Sequence, residues 1–170
     1  MRQPILYLML GYPGSGKTTT AKIIHELTGA VHLASDKIRL ELFSEPRFTP
    51  EEHEVLYREL DRRTEELLAS GKDVIYDANL NQYPHRKEKY EISERTGTKT
   101  VLIWIKTQRD VSKTRATHTS RSRLWPSGEA ADKMFERLAD IFEPPLTSEV
   151  HVELDGTKIT PAYVQKALQL

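Results

Sequence analysis

The chain has 170 residues, 38% hydrophobic and 29% charged, which suits one domain across 1–170 and excludes disordered, collagen-like and coiled-coil chains. Its 25 basic and 25 acidic residues cancel, which argues against a polyanion-coating surface but leaves room for a local basic patch. It has no cysteine, ruling out disulfides and thiol chemistry, and no apolar run near the ~20 residues that span a bilayer, so a cytoplasmic protein with no membrane partner is expected.

Taken in order, Ile5–Leu10 is a short continuous apolar run ended by a glycine-rich turn and reads as a buried strand. A helix follows from about Lys17 to Leu27, closed by Gly29. Val31–Ala34 is a weak second strand, and a short helix runs from Asp36 to about Phe43. Thr49-Pro50-Glu51-Glu52 is a helix start, with Thr49 as cap, Pro50 at the first turn and Glu52 completing a capping box. That helix carries Leu56, Leu60, Leu67 and Leu68 on one face and stops at Gly71. Asp73–Asp77 is the third strand, about Pro84 to Arg95 a helix, and Thr100–Ile105 the fourth strand. Helices at about Arg109–Thr117 and Glu129–Phe142, a strand at Val150–Leu154 and a helix opened by Thr160-Pro161 complete the chain. This alternation predicts an α/β fold, a parallel sheet of about five strands covered by helices on both faces in three layers. The strand ends that lead into helices share one edge, where a ligand site belongs.

The chemistry-bearing residues fall on that edge. Gly11-Tyr-Pro-Gly14-Ser15-Gly16-Lys17-Thr18 matches G-x-x-x-x-G-K-[ST], and Thr19 follows it. Glycines let the backbone close around phosphates, Lys17 neutralises the outer phosphates, and Thr18 can bind Mg²⁺. A strand before the motif and a helix after it supply the right context. The Rossmann alternative fits poorly, because glycines at 11, 14 and 16 do not spell G-x-G-x-x-G and Lys17-Thr18 would have no role.

Asp77 ends an apolar strand and can hold the Mg²⁺ shell, or merely cap a helix. Asp36 can take the proton of an attacking hydroxyl, with Arg39 one turn on gripping an acceptor anion, or Ser35 or Asp36 can simply cap the short helix. Spacing alone supports both readings of Asp36. Lys106, Arg109, Lys113, Arg115, Arg121 and Arg123 stand against one acid, Asp110. They read as an arginine-rich lid over about 107–127, or as a solvated face. The histidines show no metal-ligand spacing and read as ordinary surface or core residues.

Gly11–Thr19, Ser35-Asp36-Lys-Ile-Arg39 and Val74-Ile-Tyr-Asp77-Ala-Asn79-Leu-Asn81, with Arg86 following, resemble the polynucleotide 5′-kinase-like branch of phosphate-loop kinases. Phe142-Glu-Pro-Pro145 with Glu149 resembles that family's tail. The resemblance runs from Leu6 to about Glu149 and extends to zeta-toxin-like and gluconate kinases. It implies a phosphate-loop NTPase fold. It further implies ATP with Mg²⁺ on Lys17, Thr18 and Asp77, Asp36 as general base, Arg39 and Asn79 toward the acceptor, and lid arginines on ATP. Arg115 is the first choice among these and Arg121 the second, being nearer the family's spacing. The resulting expectation is an ATP-dependent kinase acting on a hydroxyl, foremost a nucleic acid 5′-hydroxyl. The alternatives are a small-molecule or nucleotide-sugar kinase of toxin type, and a non-catalytic ATP-binding switch.

Overall fold

β1 (Ile5–Leu10) lies at the centre of a five-stranded, all-parallel sheet ordered β2-β3-β1-β4-β5, with β2 Val31–Ala34, β3 Val74–Asp77, β4 Lys99–Lys106 and β5 His151–Asp155. The computed structural model describes residues 2–118 and 124–170. β1 is apolar at every position because both of its faces are covered. Leu6, Leu8 and Leu10 point into one core with Leu56, Leu60, Leu68 and Ile92. Tyr7 and Met9 point into the other with Ala21, Ile24, Leu154 and Val164.

Helices α3 (Pro50–Ala69) and α4 (Tyr83–Thr96) therefore cover the first face, and α1 (Lys17–Thr28) and α7 (Pro161–Leu168) the second. The remaining helices are α2 (Ser35–Leu42), α5 (Arg109–His118) and α6 (Gly128–Asp140). α5 and α6 pack on each other through Ala116, Phe135 and Ala139, with Tyr12 and Trp125 against that cluster. No helix among the described residues is long and apolar enough to cross a membrane.

The start of α3 departs from the expected capping box. Thr49 Oγ1 accepts from Glu52 N at 3.2 Å, as predicted. The Glu52 carboxylate does not return to Thr49; it takes the N–H groups of Arg47 (2.9 Å) and Phe48 (2.8 Å). The reason is local backbone shape: Phe48 sits at φ 57°, so its N–H and that of Arg47 turn toward the helix. α2 also begins differently from the capping alternative. It leaves β2 directly, with Ala34 at the N-cap and no side-chain capping bond.

Candidate active site

The loop between β1 and α1 is packed so closely that only glycine fits at its bends. Gly14 has φ 78°, and a Cβ there would lie 2.3 Å from Ser112 O and 2.9 Å from Ala116 N on α5. A Cβ on Gly11 would lie 2.5 Å from Ser15 Oγ and 2.8 Å from Ile105 O. Ser15 is fully buried, and its Oγ has no hydrogen-bond partner among the described residues. Gly16 occupies the N-cap of α1 without a side-chain cap, which leaves first-turn N–H groups and the positive helix end for an anion. Thr20 Oγ1 donates to Gly16 O at 2.8 Å and fixes that turn. Lys17 Nζ donates to Gly11 O (2.8 Å) and Tyr12 O (2.9 Å), holding its charge over the loop. Thr18 and Thr19 are exposed beside it.

Thr18 and Asp77 are brought together. Thr18 Oγ1 donates to Asp77 Oδ2 at 2.9 Å, and Asp77 is buried at the end of β3. Asp77 is not a helix cap, since the next helix starts six residues later with Gln82 at its N-cap. A hydroxyl and a carboxylate at the loop mouth are hard oxygen donors of the kind Mg²⁺ takes alongside phosphate oxygens and water. The residues fit that ion. His32 Nε2 lies 2.9 Å from the same Asp77 Oδ2, a contact that sequence reading did not single out. Spacing could not find it, because the pair forms across 45 residues through the β2–β3 register.

Asp36 is exposed in the first turn of α2, at the same sheet edge. Ala34 takes the N-cap of α2, so Ser35 and Asp36 occupy its first turn and neither stands at the cap position itself. Arg39, one turn on, is only 4% exposed. One of its terminal nitrogens, Nη2, lies 2.9 Å from His53 Nδ1, and Phe48 stacks 4.5 Å from the guanidinium carbon. Nη1 makes no hydrogen bond among the described residues and sits 3.8 Å from Glu52 Oε2. A guanidinium can only donate, so His53 Nδ1 carries the lone pair and the ring is neutral. Burial, and then the Arg39 charge, hold the His53 pKa below its ordinary value.

Tyr57 also belongs to this end. Burial raises its phenol to about 12, against a backbone hydrogen bond from Asn79 and the Arg39 charge, with Asp36 adding to the rise. It is thus a protonated hydroxyl on α3, bonded to the Asn79 backbone in the β3–α4 loop. Asn79 itself is exposed, and its Oδ1 accepts from Asn81 N at 3.1 Å.

The basic stretch divides. Arg109 pairs with Glu136 and Asp140, and Lys113 with Glu136 at 2.8 Å, so these two tie α5 to α6. Arg115 instead reaches the loop, with Nη1 3.0 Å from Gly156 O and 3.4 Å from Ser15 O. Arg121 and Arg123 lie outside the described residues. Next to Tyr12 and Thr107, a cleft of about 730 Å³ opens between the ends of β4 and β5, lined also by Asp155, Thr157 and Tyr163.

The segments that carried the resemblance are joined by one buried ion pair. Arg86, fully buried, meets Glu149 through Nε (2.8 Å) and Nη2 (2.9 Å), and Nη1 donates to Leu80 O (3.0 Å) and Glu143 O (3.1 Å). Tyr90 and Leu146 N also donate to Glu149. Burial pushes the Glu149 carboxyl up, but the bonds from Arg86, Tyr90 and Leu146 outweigh it and hold it below the usual range. Arg86 thus braces the loop after Asp77.

Comparison with known proteins places this arrangement. A sugar kinase from Janibacter sp. superposes with a TM-score of 0.70 at 18% identity, covering 99% of this chain and 94% of its own. A gluconokinase from Sinorhizobium meliloti gives 0.70 at 17% identity, covering 99% and 92%. A chain of the Pnkp1/Rnl/Hen1 RNA repair complex gives 0.65 at 19% identity, covering 83% of this chain and 46% of its own. At these identities the likeness is one of fold. No curated protein sequence matches the chain. A family model described as an AAA domain matches residues 6–145. With its glycine loop, Lys17 and the Thr18–Asp77 pair in place on a five-stranded parallel sheet, the chain belongs to this AAA domain family of phosphate-loop proteins.

Proposed function

We propose that the protein is an ATP-dependent phosphotransferase that moves the γ-phosphoryl group to a hydroxyl of a small acceptor. The observation that carries this reading is the Thr18–Asp77 pair at the loop mouth, with exposed Asp36 at the same sheet edge. The glycine loop, the start of α1 and Lys17 bind the nucleotide's phosphates, and Arg115 adds charge from α5. Thr18 and Asp77 would hold Mg²⁺, which supplies neutralisation of the phosphate oxygens as charge shifts between them. Asp36 accepts the proton of the acceptor hydroxyl, whose oxygen takes the phosphoryl group as ADP leaves. The acceptor end lies on the β2 side of the loop, so the nucleotide's base extends to the opposite side, toward the cleft beside β4 and β5.

A small acceptor is favoured over a nucleic acid by the cover over Arg39. Arg39, the guanidinium one turn from Asp36, is buried, covered by Phe48 and faces Glu52. A nucleic acid track needs exposed, unneutralised cations in a stripe. The 5′-hydroxyl reading remains second, supported by the Asp77–Asn81 stretch and by the fold of the RNA repair relative. Labelled γ-phosphate transfer over sugars, sugar acids, nucleosides, nucleotide sugars and 5′-hydroxyl oligonucleotides decides between them. Transfer to a sugar or sugar acid is expected. Transfer to oligonucleotides alone would promote the second reading, and ATP binding without transfer to any acceptor would favour a switch protein.

A further inference from the structure

Two side chains converge on one oxygen of Asp77. Thr18 Oγ1 and His32 Nε2 each lie 2.9 Å from Oδ2. In the parallel register His32 stands opposite Ile75 and Ala34 opposite Asp77, which makes His32 and Asp77 diagonal neighbours on one face of the sheet. That face is the one covered by α1, the helix that carries Thr18. His32 is 16% exposed and Asp77 6%, so solvent screens the contact weakly. A carboxylate can only accept, so the imidazole presents Nε2–H to it and Thr18 presents its hydroxyl proton.

The second donor has a consequence for the first. A carboxylate held by one bond can rotate about its χ2, and the Thr18 hydroxyl would turn with it. With Oδ2 pinned from β2, the Thr18 proton is directed to that oxygen and both hydroxyl lone pairs are left for a cation. We propose that His32 is a positioning residue of the metal–nucleotide site, orienting Asp77 and through it the Thr18 hydroxyl. The inference rests on the reading of Thr18 and Asp77 as cation ligands given above. Hydrogen-bonded partners behind metal ligands are worth roughly 10–100-fold in metal affinity.

The test compares His32→Gln, which keeps an N–H donor at similar reach, with His32→Met, which keeps bulk and loses the donor. Mn²⁺ binding to the full chain loaded with a non-hydrolysable ATP analogue is followed by electron paramagnetic resonance. Analogue affinity and Tm are measured separately in EDTA. His32→Met should raise the Mn²⁺ Kd by roughly 10–100-fold, with analogue affinity in EDTA unchanged and Tm in EDTA close to that of His32→Gln. His32→Gln should bind Mn²⁺ almost as the wild type does. Equal Mn²⁺ affinity in wild type and His32→Met, or equal losses in both variants, overturns the role of His32 alone. A wild type with no analogue-dependent Mn²⁺ site overturns the reading of Thr18 and Asp77 as well.

Discussion

Asp36 and Lys17 make separable contributions. Asp36 stands exposed in the first turn of α2 rather than at its N-cap, and Asp36→Asn keeps the side chain's size and hydrogen-bonding reach, so it should leave folding and ATP affinity intact. Phosphoryl transfer should fall by roughly 10²–10⁴, the ordinary weight of a general base; single-turnover transfer measured beside ATP binding checks this, and a loss under a few-fold removes Asp36 from the chemistry. Lys17→Ala should do the reverse in kind, weakening ATP binding itself, since its ammonium is held over the loop by two carbonyls. Isothermal titration against ATP with Mg²⁺ is the measurement, and wild-type affinity in the variant would end the phosphate-loop reading. The residue scale is also where sequence is least informative. Asp36, Asp77 and Lys17 stand at legible places, a strand end or a named motif. His32, His53 and Tyr57 do not, because each acquires its meaning from a contact with another strand or helix.

At the scale of elements, strands and glycine stops were readable almost to the residue, because buried runs such as Ile5–Leu10 and helix-ending Gly29 and Gly97 carry local physical causes. The bracing between elements was not. Arg86 and Glu149 are separated by 63 residues, and only the fold joins them. Breaking a buried pair leaves one charge uncompensated, at about 3–5 kcal/mol. Arg86→Met should therefore destabilise the chain by that order in urea unfolding and loosen the loop after Asp77. The same pair sets an acid limit. Glu149 is held below its ordinary value of 4.5 in the folded state. Its contribution is thus present above that value and is lost as pH falls through the lower folded value. Wild-type stability should drop as pH falls below about 4.5, and Glu149→Gln, less stable at neutral pH, should show a shallower drop. Gly14→Ala tests the loop's packing, because its methyl would meet the α5 backbone at 2.3 Å. ATP affinity should fall with α5 displaced, while β1 and the sheet persist by circular dichroism.

Across the whole molecule, the strand order keeps the two ends of the proposed reaction apart. The nucleotide end draws on β1, α1, α5 and the turn after β5; the acceptor end draws on β2, α2 and α3. Between them, on the strand that separates β1 from β2, Asp77 bonds to Thr18 of α1 and to His32 of β2. Residues 31–69 leave the rest of the chain beside β3 and return there. They form an uninterrupted cassette in which Asp36, Arg39, Phe48, His53 and Tyr57 travel together. Transplanting residues 35–69, which leaves His32 and its bond to Asp77 in place, from a relative with a different acceptor should carry the relative's preference with it and leave this chain's handling of ATP as it was. A lineage of such proteins could diversify its substrates by exchanging one continuous piece of gene, without retuning the machinery that spends the nucleotide.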